Sequence, residues 1–384
     1  MARIGILTGG GDVPGLNAAI KSFVWRLDDH HEILGLRRGW ASLLNIVPDP
    51  KADNSAWITP LNRMNTRAID RTGGTMLHTS RVNPAITKPE DIPEHLRGEM
   101  QKRDERGRFD LTGAALRTID FLKLDTLVAL GGDGTLTFAR RLDKEGVPIV
   151  AIPKTMDNDV YGTDYCLGFS TAVTRSVGFI NDLRTGAGSH ERYLIVELFG
   201  RYSGETCLLA SYLSSTDRAV IAEVPFECER LYGMLERDKH DNPSNYAVVA
   251  ISEGATMVGG QTIETGEADA YGNRRLGGIG GVLGDFIEKR SGEKVIYQRL
   301  AYLMRSGVPD SLDQLVAFNF GSLAADLVKR GESGKMIAVV DGRYNAVPIE
   351  IAASKKRVDV DRFYDAGEYR PKIANVMGMP MFLH

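Results

Sequence analysis

The sequence has almost no cysteine. Three thiols, Cys166, Cys207 and Cys228, stand among 384 residues, too few and too scattered for a disulfide framework or a cysteine-based zinc site. A reducing compartment is expected, which makes the chain cytoplasmic. No apolar run is long enough to span a bilayer. The opening Met1-Ala-Arg-Ile-Gly-Ile-Leu runs straight into a strand-like segment and leaves no room for a signal peptide. Net charge is nearly absent as well: 47 basic residues face 50 acidic ones, for a balance of −3 and a pI of about 6.2. That excludes a general affinity for polyanions such as nucleic acid. Solenoid repeats and low-complexity tracts are missing too. What remains is 43% hydrophobic and 25% charged, an ordinary globular balance. At this length two cores are expected, because single cores stop growing at about 250–300 residues.

What the chain does have is glycine, 42 of them, concentrated where strands give way to helices. An apolar strand at Ile4–Leu7 runs into Thr8-Gly-Gly-Gly-Asp12-Val-Pro-Gly15, and an amphipathic helix follows from Leu16 to Asp28. That layout aims backbone N–H groups and a helix N-terminus at an anion. A second strand at Ile33–Arg38 ends near Trp40, which is either core or a platform for a flat base. Residues 46–66 read as loop. Arg71–Arg81 is another glycine turn, closed by an arginine suited to a phosphate clamp or to plain solvent. Residues 88–110 are a charged, solvated run. The strand Thr126–Leu130 meets Gly131-Gly-Asp-Gly-Thr135, and the helix Leu136–Lys144 follows. Val147–Ile152 is a strand leading into Pro153-Lys-Thr-Met-Asp-Asn-Asp159. A helix over Thr171–Leu183, a loop at Gly186–Arg192 and a strand at Tyr193–Leu198 precede Phe199-Gly-Arg-Tyr-Ser-Gly204. Further strands are expected at Val220–Val224, Tyr246–Ile251 and Met336–Val340. Helices are expected at Glu205–Ser211, Leu283–Arg290 and Ser311–Lys329, with a glycine-rich turn at Asp269–Gly281. Strand, loop and helix in repetition predict α/β architecture with parallel sheets covered on both faces.

The chemistry centres on Pro153–Asp159. A carboxylate pair at a strand's carboxyl end lies where open α/β sheets hold ligands. Asp157 is read as the base that takes a proton from a substrate hydroxyl. In Gly131–Thr135 the glycines let the backbone approach a polyphosphate, Asp133 offers a carboxylate for Mg2+, and Thr135 can cap the helix. Phosphoryl transfer needs positioning and positive charge more than covalent chemistry. Arg81, Lys154, Arg192, Arg201 and Arg305 supply that charge from loops and strand edges.

These motifs, in this order, resemble the 6-phosphofructokinases over nearly the whole chain, more weakly after about residue 310. The resemblance implies two Rossmann-like three-layer α/β/α domains. Residues 1–168 with about 304–354 would bind the phosphoryl donor. Residues 169–303 with the C-terminal tail would bind fructose 6-phosphate. On the donor side it implies Gly11, Trp40, Arg81, Gly132, Asp133, Gly134 and Thr135, with Asp133 linked to Mg2+ and Trp40 near the adenine. On the sugar side it implies Thr155, Asp157, Asp159, Arg192, Phe199, Gly200, Arg201, Glu253, Tyr302 and Arg305. Lys154, Thr155, Asp157 and Arg201 would serve the chemistry itself. Arg192 would reach a neighbouring subunit's site, so a dimer or a tetramer is expected. Three departures stand out: Tyr302 where the family has histidine, Lys154 where common bacterial ATP enzymes have glycine, and no clear match for one 6-phosphate arginine, for which Lys294 or Arg299 are candidates.

The donor is read as ATP, because Gly134 leaves open the space that an aspartate fills in pyrophosphate users. Lys154 and Tyr302 resemble the pyrophosphate branch, which remains the alternative. NAD kinases share the Gly131–Thr135 turn but not Pro153–Asp159. A sugar-phosphate-binding paralogue without turnover is expected to lack Asp133 or Asp157, and both are present.

Overall fold

On β1 (Arg3–Gly9) the side chains of Ile4, Ile6 and Leu7 have no solvent exposure. An apolar run of this kind suits a parallel strand covered on both faces. In α1 (Leu16–Leu27) the buried residues Leu16, Ile20, Phe23, Val24 and Leu27 recur at spacings of three and four, so one stripe faces the sheet. The first half of the chain continues through β2 (Glu32–Leu36), the single turn α2 (Ala41–Asn45), β3 (Ile58–Leu61), α3 (Thr112–Phe121), β4 (Thr126–Gly131), α4 (Asp133–Lys144) and β5 (Ile149–Pro153). The long α5 (Phe169–Ser189) carries it to β6 (Tyr193–Leu198), α6 (Glu205–Ser214), β7 (Arg218–Val220), α7 (Cys228–Asp241) and β8 (Ala247–Ser252). The short β9 (Glu264–Thr265) and β10 (Arg275–Leu276), then α8 (Ile279–Ser291) and β11 (Val295–Arg299), follow. Finally α9 (Ser311–Arg330), β12 (Lys335–Val340) and β13 (Arg343–Pro348) return to the first half. The structure is a computed structural model describing residues 1–27, 29–99, 104–260, 264–265, 275–373 and 376–384. Part of the expected charged run (100–103) and part of the expected glycine-rich turn (269–274) lie outside the described residues.

Two main sheets result. The first has the order β13-β12-β5-β4-β1-β2-β3, and the second β11-β6-β8-β7. All pairings within the second are parallel; in the first only the edge strands β3 and β13 run antiparallel. Alternation along the strands sorts the cores. Ile4, Ile6, Val128, Leu130, Val150 and Ile152 join α1 and α9, while Leu7, Leu127, Ala129, Ile149 and Ala151 pack under α3 and α4 on the opposite face. The inner core also includes Leu194, Val196 and Val248 of the second sheet, so one apolar layer runs beneath both sheets. The outer face of the second sheet packs Ile195, Val249 and Ile251 against α7 and α8. Both units are three-layer α/β/α, as expected.

Several boundaries differ from the sequence expectation. The helix α5 runs on through Gly186 and Gly188 to Ser189, replacing most of the expected loop, because Ala187 is buried and tertiary packing outweighs the glycines. Within the expected loop at 46–66, β3 pairs with β2, and α7 fills the stretch between two expected strands for which no element was expected. Strand β7 ends at Val220, where a strand was expected to begin.

Candidate functional site

Strands β1 and β4 are neighbours, yet the chain leaves them in opposite directions, to β2 on one side and β5 on the other. A crevice opens at the carboxyl ends of such a pair. Gly10–Asp12 and Gly132–Gly134 stand at that crevice. Lys154, just beyond β5, crosses it: its Nζ donates to the Gly11 carbonyl at 2.5 Å. Lys154 is buried, and burial, reinforced by the charges of Arg305 and Arg81, pulls its pKa down to about 8. Arg305 closes over the same turn. Its Nη1 donates to the Asp12 carbonyl at 3.2 Å and lies 3.5 Å from the Asp12 carboxylate. A Cβ on Gly11 would come within 2.3 Å of that nitrogen, which explains the glycine. Arg81 is exposed and near enough to Lys154 to act on its charge.

Asp133 opens α4, whose N-cap, Gly132, makes no side-chain cap hydrogen bond. The helix therefore begins three residues earlier than its apolar pattern indicates. Its first-turn N–H groups carry the positive end of the dipole toward the crevice. Two donor-side expectations meet a different structure. Thr135 is buried beneath the glycines: a Cβ on Gly9 or Gly131 would fall 2.5 or 2.3 Å from its atoms, so Thr135 packs the turn from below. Trp40 is 1% exposed, with its ring edge-on to Phe138 at 5.0 Å. Both of its faces are spent in the core, so it offers no platform for a base.

The turn after β5 is held by its middle residue. Asn158 is fully buried with φ +52°, a left-handed conformation that asparagine tolerates. Its Nδ2 donates to the Asp164 carbonyl and to Glu205 Oε2, each at 3.0 Å, and its Oδ1 accepts from the Cys166 N–H at 2.9 Å. With Asn158 fixed inward, Asp157 and Asp159 on either side keep partial access to solvent. Thr155 Oγ1 accepts from the Asp157 N–H at 3.2 Å. The Arg201 N–H donates to Asp157 Oδ2 at 3.3 Å, which brings the loop after β6 onto the turn. Desolvation, then repulsion from Asp159 and Glu253, raises the Asp157 pKa well above the usual carboxylate range. Asp159 is raised as well, by desolvation, with Lys355 opposing the shift and Asp133 adding to it.

The facing rim comes from the second sheet. Phe199, Gly200 and Arg201 follow β6, and Gly200, at φ +137°, lets the chain turn back within hydrogen-bond reach of Gly254. Glu253 follows β8 and is buried, and Arg299 ends β11. Arg299 Nη2 lies 3.2 Å from Glu253 Oε2, and its Nε lies 3.1 Å from Glu197 Oε1. Burial raises the Glu253 pKa, while Arg299 and Arg201 draw it back down. Of the two candidates for the unmatched arginine, the structure brings Arg299 to this rim. Lys294 is instead an exposed side chain 3.7 Å from Glu288. Tyr302, largely exposed, lies under the Arg305 guanidinium at 4.5 Å and edge-on to Phe199. Arg305 was expected at the sugar phosphate; here the Asp12 carbonyl and carboxylate draw it to the donor turn instead. Arg192 is not in the cleft of its own chain. It precedes β6, whose opposite end carries Phe199–Arg201, a strand's length away.

Three residues at the site escaped the sequence reading. Glu197 is an acid with no solvent exposure inside an apolar strand. It anchors Arg299, accepts from the N–H groups of Gly278 and Gly280, and receives the Tyr297 hydroxyl at 2.9 Å. A lone carboxylate within Tyr-Leu-Ile-Val-Glu-Leu was the available signal. Glu205 clamps Asn158, and Lys355 ion-pairs with Asp133 at 3.4 Å. Among the described residues no group of three or more His, Cys, Asp or Glu side chains is placed to hold a metal ion. Asp133, with Asp159 near it, offers the one or two carboxylates that Mg2+ takes when substrate phosphates supply the rest. No helix among the described residues is long and apolar enough to cross a membrane.

Comparison with known proteins shows the family. The phosphofructokinase family model matches residues 3–328. A pyrophosphate–fructose 6-phosphate 1-phosphotransferase of Dictyoglomus thermophilum is 38% identical, over 95% of this chain and 97% of its own. An ATP-dependent 6-phosphofructokinase 3 of Streptomyces coelicolor is 35% identical, over 95% of this chain and 99% of its own. In fold, the chain resembles a solved phosphofructokinase of Saccharomyces cerevisiae, with a TM-score of 0.72 at 21% identity over 92% of this chain. The match spans 44% of that longer polypeptide. The chain belongs to the phosphofructokinase family of phosphotransferases.

Proposed function

We propose that the protein transfers a phosphoryl group to the 1-hydroxyl of fructose 6-phosphate, forming fructose 1,6-bisphosphate, with MgATP as donor. The observation that carries this reading is the Asp157 carboxylate, held by the Arg201 N–H at 3.3 Å and close enough to Asp159 and Glu253 to feel their charge. An elevated pKa suits it to accept a proton late in the transfer. Arg201 offsets charge developing on the transferred group. Lys154 and the Gly11 turn hold the donor's terminal phosphate. Thr155 and Asp159 flank the reacting hydroxyl, and Glu253 binds a sugar hydroxyl. Arg299 lies where it can meet the 6-phosphate, and Phe199 lines the sugar pocket. Arg305, released from Asp12, is drawn to incoming phosphate. When bound through Asp133, Mg2+ supplies charge neutralisation between donor phosphates. Arg192, remote from its own cleft, serves the site of a second copy in a dimer or tetramer.

Gly134 favours ATP because no side chain projects where the α-phosphate would lie. Two observations favour pyrophosphate as the alternative donor: Lys154 is buried under the donor turn, and Trp40 is lost to the core. The test is to incubate the protein with fructose 6-phosphate and either MgATP or magnesium pyrophosphate, following phosphorus by NMR. A new C1 phosphate with MgATP is expected. Product with pyrophosphate alone overturns the donor assignment, and product with neither overturns the transfer.

A further inference from the structure

Lys355-Lys356-Arg357 is a run of three cations beyond the matched motifs. Its backbone is fastened to the turn that carries Asp157. Lys355 pairs antiparallel with Val160, the Lys356 N–H donates to the Asp159 carbonyl at 3.0 Å, and the Val358 N–H donates to Glu223 Oε1 at 3.0 Å. Adjacent side chains of an extended segment point to opposite sides. Lys356 points inward; it is buried, and its Nζ donates to the carbonyls of Thr163 and Asp164 at 3.0 and 3.2 Å. Lys355 points the other way, into the crevice. Its Nζ lies 3.4 Å from Asp133 Oδ2 and 3.4 Å from the centroid of the Tyr202 ring. A backbone clamp, an aromatic platform and an acid at a helix N-terminus distinguish this lysine from a surface ion pair.

We propose that Lys355 is a binding residue for the anionic phosphoryl donor, held on Asp133 in the free protein and transferred to a donor phosphate oxygen on binding. An entering polyphosphate then meets two lysines, Lys154 beneath the Gly11 turn and Lys355 beside Asp133. The ammonium's flexible four-carbon stem allows that exchange without backbone movement. This inference rests on the phosphoryl-transfer reading above.

The test compares wild type with Lys355→Met, Lys355→Arg and a surface charge control, Lys51→Met. Calorimetry with MgATP and with magnesium pyrophosphate, each without sugar, measures donor affinity. Steady-state kinetics gives KM for both substrates, and thermal melting reports folding. For Lys355→Met the expected loss is about tenfold or more in donor affinity, the scale of one charge-assisted hydrogen bond. The KM for fructose 6-phosphate and the melting temperature should stay at wild-type values. Lys355→Arg should restore part of the loss, and Lys51→Met should show none. Unchanged or tighter donor binding by Lys355→Met overturns the proposal. So does a joint rise of both KM values with a lower melting temperature, which makes the segment a structural strap alone. If wild type transfers nothing to fructose 6-phosphate, the transfer reading fails while calorimetry still decides Lys355.

Discussion

The two rims of the cleft are built on opposite plans. The donor rim, at the ends of β1, β4 and β5, removes side chains: Gly10, Gly11 and Gly132 bare the backbone, and cations approach from below and from the side. The acceptor rim, at the ends of β6, β8 and β11, adds charged side chains. Glu197, Glu253 and Arg299 form a chain of ion pairs with both acids buried. A rim of bare N–H groups suits a ligand that brings dense negative charge of its own. A rim of paired ions suits one with hydroxyls to sort and a single phosphate to hold. Asp157 follows the donor-side strand β5 and accepts from Arg201 of the acceptor rim, and burial followed by repulsion from Asp159 and Glu253 raises its pKa.

That contrast can be broken from either side. Apart from replacement of the base itself, the largest effect is expected from Arg201→Ala, which removes a cation whose charge acts on Asp157: kcat should fall by ~10²–10³ with either donor, read in steady-state assays. Gly134→Asp places a side chain on the donor rim alone. It should cut kcat/KM for MgATP by about 100-fold while sparing pyrophosphate, since a built-in clash discriminates more sharply than a lost contact. Competition assays with the two donors measure that ratio. A smaller effect follows from pH. The pKa of Lys154 is lowered to about 8, so in the donor-free protein its charge is lost as pH rises past that value. Donor KM should climb on the alkaline side, whereas Asp157, raised by burial, should make turnover fall on the acid side. Lys154→Met should flatten the alkaline limb of the KM profile. The smallest catalytic effect belongs to Trp40→Leu. A buried ring lost from the core costs about 2–4 kcal/mol of stability, seen in denaturant titration, yet MgATP KM should hold within about twofold if the ring touches no donor.

The sequence made the cleft's centre legible because its chemistry is local. Asp157, Asn158 and Asp159 are consecutive, and the glycines sit next to the strands that aim them. What stayed hidden depends on distance or on direction. Lys355 reaches Asp133 across more than two hundred residues, a pairing that no local pattern encodes. Trp40 follows a strand, and its position reads the same whether the ring turns to the core or to the cleft. Packing against Phe138 decides it. The motif gives the neighbourhood of Arg305 but not that its long side chain lies on Asp12 in the ligand-free protein. The glycines of α5 read as a loop until the burial of Ala187 gave that segment a reason to stay helical.

The central claim is that Asp157 takes the proton while binding is the work of others. It is tested most directly by Asp157→Ser, with turnover measured beside calorimetric affinities for donor and fructose 6-phosphate. The account predicts a kcat lower by ~10²–10⁴, the usual contribution of a positioned base, with both affinities within a few-fold of wild type. Undiminished turnover in that variant would contradict it.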